Sequence, residues 1–118
     1  DIDRKGIVPA LKAATKNSLS SISELSDKKV FVYLDGSLSA PENFDQETII
    51  KGDLHNWLIS SASVVAKVAR DNLMIRYGDQ YPEYGFEQHK GYGTKKHYAA
   101  IVEHGMNNLH RKTWIRSK

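Results

Sequence analysis

The sequence predicts an α/β domain in which helices cover a sheet. Three observations predict it: a nearly continuous apolar run at residues 29–36, a second short β-type run at residues 48–53, and a long amphipathic helical pattern at residues 56–79. A strand that is apolar at almost every position is typical of a sheet with both faces covered. There is no internal repeat or domain boundary, and a chain of 118 residues is long enough for one core. We therefore predict a single domain over residues 1–118.

The first half of the chain is predicted to hold one helix and two strands. The helix spans residues 8–22, where Pro9 suits the first turn and apolar side chains recur at roughly helical spacing. A polar connector leads to the first strand, KVFVYLDG, which is rich in β-branched and aromatic residues and ends at Asp35. After a loop over residues 37–47, the second strand is TIIKGD, which also ends at an aspartate, Asp53.

The second half is predicted to be mostly helical. The long helix over residues 56–79 keeps one apolar face, and Gly78 can end it. Residues 81–94, YPEYGFEQHKGYGT, are predicted to form a loop rich in glycine and tyrosine. Thr94 can then N-cap a helix with the sequence KKHYAAIVEHG, which its final glycine closes. The last segment, HRKTWIRSK, is basic and short.

The charge of the chain is unevenly distributed. Its net charge is +3, but the last 34 residues carry seven basic against two acidic side chains, so the first 84 residues have a net charge of −2. Four of the five histidines also lie in this basic tail. Such a tail on a near-neutral body indicates a polyanionic partner, and the alternative is an ordinary solvated surface.

The composition excludes several classes of protein. Without cysteine the chain can form neither disulfides nor a thiolate metal site, which fits a reducing compartment, and we expect a cytoplasmic protein. No apolar run approaches the ~20 residues of a membrane-spanning helix. No basic-then-apolar signal segment opens the chain. We therefore expect no membrane partner.

Two aspartates, Asp35 and Asp53, stand at the ends of the two predicted strands. Functional groups gather at the carboxyl ends of strands in α/β sheets, and two carboxylates a few ångströms apart are costly unless a cation lies between them. Mg²⁺ prefers such oxygen ligands. This interpretation predicts a divalent-metal site. The alternative is a purely structural role, since Asp-Gly and Gly-Asp pairs are common in turns.

Other polar candidates have simpler interpretations. Asp71 lies within the long helix four residues after Lys67, a spacing that favours an ion pair between them. Lys67 is therefore either a phosphate contact or a solvated side chain. The histidines show no metal-binding spacing such as HxxxH or HExxH, so we expect them to be solvent-exposed or to cap helices.

The segment HKGYGT, residues 89–94, places Tyr92 between two glycines and two residues after Lys90. A tyrosine ring on such a loop suits stacking on a sugar or a base beside a phosphate. The alternative is structural: the ring of Tyr92 joins the aromatic side chains of residues 81–86 in a cluster that packs the loop onto the body of the domain.

Several motifs occur together in an order that carries a family resemblance. They are IDR at 2–4, LDG at 34–36, IKGD at 50–53, SASVVAKVARDNLM at 61–74, YPEYGFEQHKGYGTKKH at 81–97 and HR at 110–111. This combination resembles ribonuclease HII, whose corresponding tyrosine-rich run reads close to YPxYGFxxHKGYxTxxH. The similarity covers nearly the whole chain, and the combination of motifs is highly specific.

The resemblance implies a ribonuclease H-like fold, a mixed sheet flanked by helices, represented here without its first strands. It also implies a metal-dependent endonuclease that uses Mg²⁺ or Mn²⁺. Such an enzyme hydrolyses the phosphodiester on the 5′ side of a ribonucleotide, in RNA–DNA hybrids or at single ribonucleotides embedded in duplex DNA. The products carry 5′-phosphate and 3′-hydroxyl ends.

The resemblance also assigns roles to particular residues. Asp35 and Asp53 match two of the family's four metal-binding carboxylates, so they are the expected catalytic and metal-ligating residues. Tyr92 matches the tyrosine that stacks on the sugar next to the ribonucleotide. Three lysines are also expected to bind the substrate, as candidate phosphate contacts that the resemblance does not itself assign: Lys51, Lys67 and Lys90.

One segment of the family pattern, G-I-D-E-A-G-R-G, is absent from these 118 residues. It carries the other two carboxylates, an Asp-Glu pair, and the Gly-Arg-Gly loop to which sensing of the ribonucleotide 2′-hydroxyl is attributed. We expect a missing amino-terminal segment to supply them. Two alternatives stay open: a catalytically inactive fragment, and a module that binds hybrid duplex without turnover.

Overall fold

The computed structural model describes residues 2–24 and 29–115 of the chain. Most of the described residues are helical, and two strands form a small sheet. In chain order the elements are α1 (Ile2–Lys5), α2 (Ile7–Glu24), β1 (Phe31–Asp35), β2 (Asp45–Ile49), α3 (Gly52–His55), α4 (Trp57–Gln80), a 3-10 turn (Pro82–Tyr84), α5 (Phe86–His89), α6 (Lys95–His104) and a second 3-10 turn (Lys112–Trp114). The predicted α/β class is confirmed.

The chain divides into two compact units, Asp1–Ser63 and Val64–Lys118. The division falls within α4, so this helix contributes residues to both units. That residues 1–118 act as one domain stays a prediction. None of the helices in the described part of the chain combines the length and the apolarity needed to cross a bilayer.

The sheet of the first unit pairs β1 and β2 in parallel, with Phe31 opposite Asp45 and Asp35 opposite Ile49. Strand β1 falls within the predicted residues 29–36 and confirms that prediction. Its side chains alternate between two faces. Leu34 is buried and packs with Leu19 of α2 in the core of this unit.

The expectation that both faces of β1 are covered is wrong for the described residues. Phe31 and Tyr33, which share the face opposite Leu34, remain 53% and 39% exposed. Their rings pack on each other, with centroids 5.0 Å apart. An apolar run in the sequence therefore does not distinguish a strand with two covered faces from one whose outer face carries an exposed aromatic pair.

The second strand lies earlier than predicted: it spans Asp45–Ile49 rather than residues 48–53. Part of the predicted loop is extended because the side chain of Gln46 forms hydrogen bonds with the backbone of the preceding loop. Its Oε1 accepts a hydrogen bond from the Ala40 backbone N–H at 2.8 Å, and its Nε2 donates to the Ala40 carbonyl at 3.1 Å. The strand ends early because Lys51 adopts left-handed backbone angles, with φ 54°, directly before α3.

The predicted helices are confirmed as α2, α4 and α6, with ends that differ from the prediction by at most two residues. Gly78, however, does not end α4, which continues to Gln80. Gly78 is buried, and a Cβ atom at this position would lie 2.8 Å from the Oε2 atom of Glu87 and 3.2 Å from its backbone nitrogen. The glycine therefore permits the close approach of α5 to the last turn of α4.

Residues 81–94 contain more regular structure than the predicted loop. They include the first 3-10 turn and α5, and the chain reverses at Gly85 and Lys90, both with left-handed backbone angles. Phe86, only 2% exposed, anchors the segment by stacking on Tyr84, with centroids 5.3 Å apart. With Met74, these rings form the core of the second unit.

Both predicted ends of α6 are confirmed. The Oγ1 atom of Thr94 accepts a hydrogen bond from the His97 backbone N–H at 3.2 Å, which satisfies one of the free donors of the first turn. At the other end, Gly105 has φ 80° and its N–H donates to the Ile101 carbonyl at 2.9 Å. These caps fix where the tyrosine-rich segment stops and α6 begins.

Candidate functional site

The two predicted catalytic aspartates are linked through Gly52, which is hydrogen-bonded to Asp35 and directly precedes Asp53. Asp35 is the last residue of β1, and its Oδ1 atom accepts a hydrogen bond from the Gly52 backbone N–H at 2.7 Å. Asp53 is the following residue, in the first turn of α3. The prediction that Asp53 ends a strand is therefore wrong, because β2 stops at Ile49 and a helical turn carries this carboxylate instead.

Gly52 links the two aspartates at a position that has no room for a side chain. It is buried, and a Cβ atom at this position would lie 2.5 Å from the Cδ1 atom of Ile59 and 3.4 Å from the Oδ1 atom of Asp35. A side chain would therefore displace either Ile59 or the hydrogen-bonded carboxylate. Lys51, the predicted phosphate contact, is exposed directly before this glycine.

The donor set of this pair fits a hard divalent cation in kind but is partial. Asp35 and Asp53 are both exposed and offer carboxylate oxygens, the ligands that Mg²⁺ and Mn²⁺ prefer. Among the residues described, no group of three or more histidine, cysteine, aspartate or glutamate side chains is arranged to hold a metal ion. The two aspartates can thus supply part of a metal site, and further oxygen ligands are needed to complete it.

Tyr92 lies in the second unit on a loop whose two glycines both pack closely against neighbouring side chains. Gly91 has φ 77°, and a Cβ atom there would lie 3.0 Å from the Cε atom of Met74. A Cβ atom at Gly93 would lie 3.2 Å from the ring of Tyr98. The loop is therefore held tightly against its own unit, while the Tyr92 side chain is 63% exposed.

The side chain that accompanies Tyr92 is Arg70, a residue that the sequence did not single out. Its guanidinium carbon lies 5.9 Å from the centroid of the Tyr92 ring, within the range of a cation–π interaction. Its Nη2 atom also donates a hydrogen bond to the Lys90 carbonyl at 3.2 Å. Arg70 lies within the family-like motif at residues 61–74, but its contact with Tyr92 cannot be read from the sequence, because 22 positions separate the two residues.

The aromatic-cluster alternative is right for part of the segment and wrong for Tyr92. Tyr84 and Phe86 are buried in the core of the second unit, and Tyr81 packs edge-on against Tyr84, with centroids 6.5 Å apart. Tyr92 is not one of the residues of this cluster in the described part of the chain. Its exposed ring is thus available to a partner.

The two lysines of the second unit have partners of their own. Lys67 forms the predicted i,i+4 ion pair with Asp71, with Nζ 2.6 Å from Oδ2. The hydrogen bond between them raises the pKa of Lys67 and lowers the pKa of the Asp71 carboxyl. The Nζ atom of Lys90 donates to the Glu87 carbonyl within the same turn. Contacts within the unit therefore position both ammonium groups.

The expected solvent-exposed or capping role is wrong for three of the histidines. His89, His97 and His110 are buried, and the rings of the first two stack with centroids 4.3 Å apart. The Nε2 atoms of His97 and His110 lie 3.1 Å apart, within hydrogen-bonding distance. Burial lowers the pKa of both these side chains below the ordinary histidine value. Sequence spacing did not indicate this cluster, because its members come from three separate segments.

Comparison with known proteins gives a clear assignment. The sequence model of the ribonuclease HII family matches residues 4–117. A protein named ribonuclease HII from Natranaerobius thermophilus is 46% identical over 114 residues, covering 97% of this chain and 56% of that protein. Proteins of the same name from Clostridioides difficile and Geobacter metallireducens are 38% and 43% identical, and they are covered over 45% and 52% of their lengths.

An α/β chain with this match is a member of a nuclease family of hydrolases. The chain belongs to the ribonuclease HII family, as its motifs indicated. Its helices and small parallel sheet are consistent with the ribonuclease H-like fold of that family. The chain spans about half the length of the curated relatives it matches.

Proposed function

We propose that this chain is part of a metal-dependent endonuclease that cleaves the phosphodiester on the 5′ side of ribonucleotides. Its substrates are RNA–DNA hybrids and duplex DNA with embedded single ribonucleotides, and its proposed location is the cytoplasm. The observation that carries the proposal is the exposed Tyr92 ring on its tightly packed Gly-Tyr-Gly loop beside Arg70.

Tyr92 supplies a flat surface for the sugar of the substrate. An exposed aromatic ring can stack on a sugar or a base, and such contacts contribute about 1–3 kcal/mol per base in single-strand binding proteins. The neighbouring Arg70 adds a positive charge where a phosphate would follow the stacked residue. The loop packs closely against its own unit at Gly91 and Gly93, so its backbone is already ordered before binding. Little conformational entropy is therefore lost when Tyr92 binds.

Asp35 and Asp53 are the residues of this chain that would hold Mg²⁺ or Mn²⁺. When bound, such ions supply an activated water and a positive charge that stabilises the leaving 3′ oxygen. The Gly52 N–H fixes the Oδ1 atom of Asp35, so the carboxylate is oriented before any ligand binds. The other carboxylates and the Gly-Arg-Gly loop of the family pattern come, in this proposal, from an amino-terminal segment.

Lys51, Lys67 and Lys90 are proposed phosphate contacts. Lys51 is exposed beside the carboxylate pair, where the phosphate to be cleaved must lie. Lys67 and Lys90 belong to the same unit as Tyr92, and the carbonyl of Lys90 accepts the Arg70 hydrogen bond. Each lysine places a charge within reach of nucleic acid bound at its own part of the site.

A second candidate function is binding of hybrid duplex without turnover. It is favoured by a specific difference between the two groups of residues. Tyr92, Arg70 and Lys90 lie within one compact unit of this chain, so these three residues of the proposed binding surface are all present here. The carboxylate pair, in contrast, supplies only part of a metal site.

One experiment separates these candidates. The purified chain is incubated with a labelled DNA duplex that holds one ribonucleotide, with Mg²⁺ and then Mn²⁺, and cleavage and binding are both measured. Asp53→Asn is the test variant, and Asp79→Asn, at an exposed position late in α4, is the matched control. Because the other two carboxylates come, in this proposal, from an amino-terminal segment, we expect the chain alone to bind the duplex without cutting it. When a polypeptide carrying the G-I-D-E-A-G-R-G segment is added, we expect a single cut 5′ of the ribonucleotide that only Asp53→Asn abolishes. Ribonucleotide-dependent binding that remains without cleavage after this addition supports the second candidate, and the absence of both binding and cleavage contradicts both.

A further inference from the structure

We propose that His110 and His97 are positioning residues for Tyr92, through a relay of hydrogen bonds that ends on the Tyr92 carbonyl. The inference rests on the proposed function, in which the Tyr92 ring binds the substrate sugar. It adds two buried histidines to the residues that determine affinity for nucleic acid, although neither one touches the substrate.

The relay has three hydrogen bonds. The Asn107 backbone N–H donates to the Nδ1 atom of His110 at 3.0 Å. The Nε2 atoms of His110 and His97 are 3.1 Å apart. The Nδ1 atom of His97 lies 2.9 Å from the Tyr92 carbonyl oxygen. All these groups lie in the second unit, so the relay is internal to one compact body.

Both ends of the relay determine the direction of every bond in it. A backbone N–H can only donate, so His110 accepts at Nδ1 and carries its hydrogen at Nε2. A backbone carbonyl can only accept, so His97 carries its hydrogen at Nδ1 and accepts at Nε2 from His110. The relay is therefore complete only when both imidazoles are neutral and each is in one particular tautomer.

The Tyr92 backbone is held from its other side as well. Its N–H donates to the His89 carbonyl at 2.9 Å, and its carbonyl also accepts from the Thr94 N–H at 2.8 Å. His89 stacks on His97 and has a fixed tautomer of its own, because it accepts from the Gly91 N–H and lies 2.7 Å from the Tyr84 carbonyl. The peptide group of Tyr92 is thus fixed while its ring stays exposed.

Protonation of either relay histidine opposes this arrangement. A second hydrogen on His97 would place two N–H groups face to face across the 3.1 Å gap to His110. His89 stacks on His97, and the buried Tyr84 ring lies 5.1 Å from the His110 ring. Both relay histidines line a cavity of the second unit, and Arg70 and Arg111 line it as well. No carboxylate is among the residues lining that cavity in the described part of the chain, so no negative side chain there stabilises a charged imidazole.

A double-mutant cycle tests the relay by measuring the affinity of the whole chain for a labelled RNA–DNA hybrid at pH 7.5. We expect Tyr92→Ala to weaken binding about tenfold and His110→Leu about fivefold. The doubly substituted chain should bind no more weakly than Tyr92→Ala alone, because His110 acts through Tyr92. His110→Gln, which can still donate to His97, should restore most of the affinity, and His104→Leu serves as the histidine control outside the relay.

A second measurement needs no substitution and no nucleic acid. Nitrogen-15 NMR of the imidazoles should show His97 with its hydrogen on Nδ1 and His110 with its hydrogen on Nε2 at pH 7.5. The opposite tautomers, or fully additive losses in the cycle, would overturn the relay. If Tyr92→Ala leaves binding unchanged while the tautomers are as expected, the proposed role of Tyr92 is wrong but the relay itself stands.

Discussion

The guanidinium of Arg70 lies 5.9 Å from the ring centroid of Tyr92 and donates to the carbonyl of Lys90, so one side chain of α4 contacts the tyrosine loop at two points. The first contact stabilises the ring on the surface, and the second holds the backbone two residues before it. Arg70 therefore connects the helix that carries Lys67 and Asp71 to the loop that we propose binds substrate.

Replacing Arg70 is expected to weaken nucleic-acid binding. Arg70→Ala removes a cation–π contact worth about 0.5–1 kcal/mol and a charged hydrogen bond worth about 1.5–3 kcal/mol. Part of this loss should appear in binding, as a roughly fivefold higher Kd for a hybrid duplex. Arg76→Ala, at an exposed position in the same helix, is the control and should bind like the unaltered chain. Equal affinities for the two variants would contradict a role for Arg70.

The lysines are expected to contribute through charge alone. If Lys51 or Lys90 contacts a phosphate, its replacement by alanine should reduce the slope of log K against log salt concentration by about 0.9. The binding constant is measured at several salt concentrations for each variant. Lys12→Ala, on the exposed side of α2, provides the comparison. A lysine whose removal leaves the slope unchanged does not contact phosphate.

Gly91 is expected to be sensitive to substitution for two separable reasons. Gly91→Ala introduces a side chain at φ 77°, which costs about 1–2 kcal/mol, and also places its Cβ atom 3.0 Å from Met74. Gly36→Ala, at φ 69° with no heavy atom of the described residues within 4 Å of the added Cβ, introduces the backbone strain alone. Urea unfolding should show a larger loss of stability for Gly91→Ala, and equal losses would mean that Met74 yields without cost.

The core of the second unit is expected to depend strongly on Phe86. This ring is 2% exposed, so Phe86→Ala should lower the free energy of unfolding by about 3–5 kcal/mol. Phe31→Ala removes the same side chain at a position that is 53% exposed and should cost much less. Denaturation midpoints of the two variants give the comparison, and a similar loss for both would indicate that the Phe31 face is covered in solution.

Stability is expected to fall as the pH is lowered below neutrality. Burial lowers the pKa of His97 and His110 in the folded chain, whereas both titrate near 6.5 when unfolded. Between these values the unfolded chain binds more protons, so the stability is complete above about pH 6.5 and decreases as the pH falls toward the folded pKa. Urea midpoints at pH 7.5 and 5.5 measure this effect.

The same measurement on two variants assigns the pH effect to the relay. His110→Leu should reduce the difference between the two midpoints, because one of the buried histidines no longer titrates. His104→Leu, which removes an exposed histidine at the end of α6, should leave the difference unchanged. A chain that is more stable at pH 5.5 than at pH 7.5 would contradict a lowered pKa of His97 and His110 in the folded chain.

Local sequence patterns were sufficient for the helices and their caps. The apolar periodicity of α4, the Thr94 cap and the Gly105 termination depend on neighbouring residues, so they can be read without a fold. The predicted bounds of the second strand are wrong because its start depends on the Gln46–Ala40 hydrogen bond and on pairing with β1. Both contacts join residues that are not neighbours in the sequence. The prediction that Gly78 ends α4 is wrong for a similar reason, since the close approach of Glu87 is a tertiary contact.

The sequence by itself determined the family, the α/β class and the setting of Tyr92 between two glycines, and it predicts Asp35 and Asp53 as the metal ligands. Each of these follows from residue types at fixed short spacings. Only the tertiary structure decided that Arg70 accompanies Tyr92 and that His97 and His110 are buried within hydrogen-bonding distance of each other. These contacts join residues 13 to 22 positions apart, and hydrogen-bond direction and desolvation act on distances in space, which no local pattern encodes.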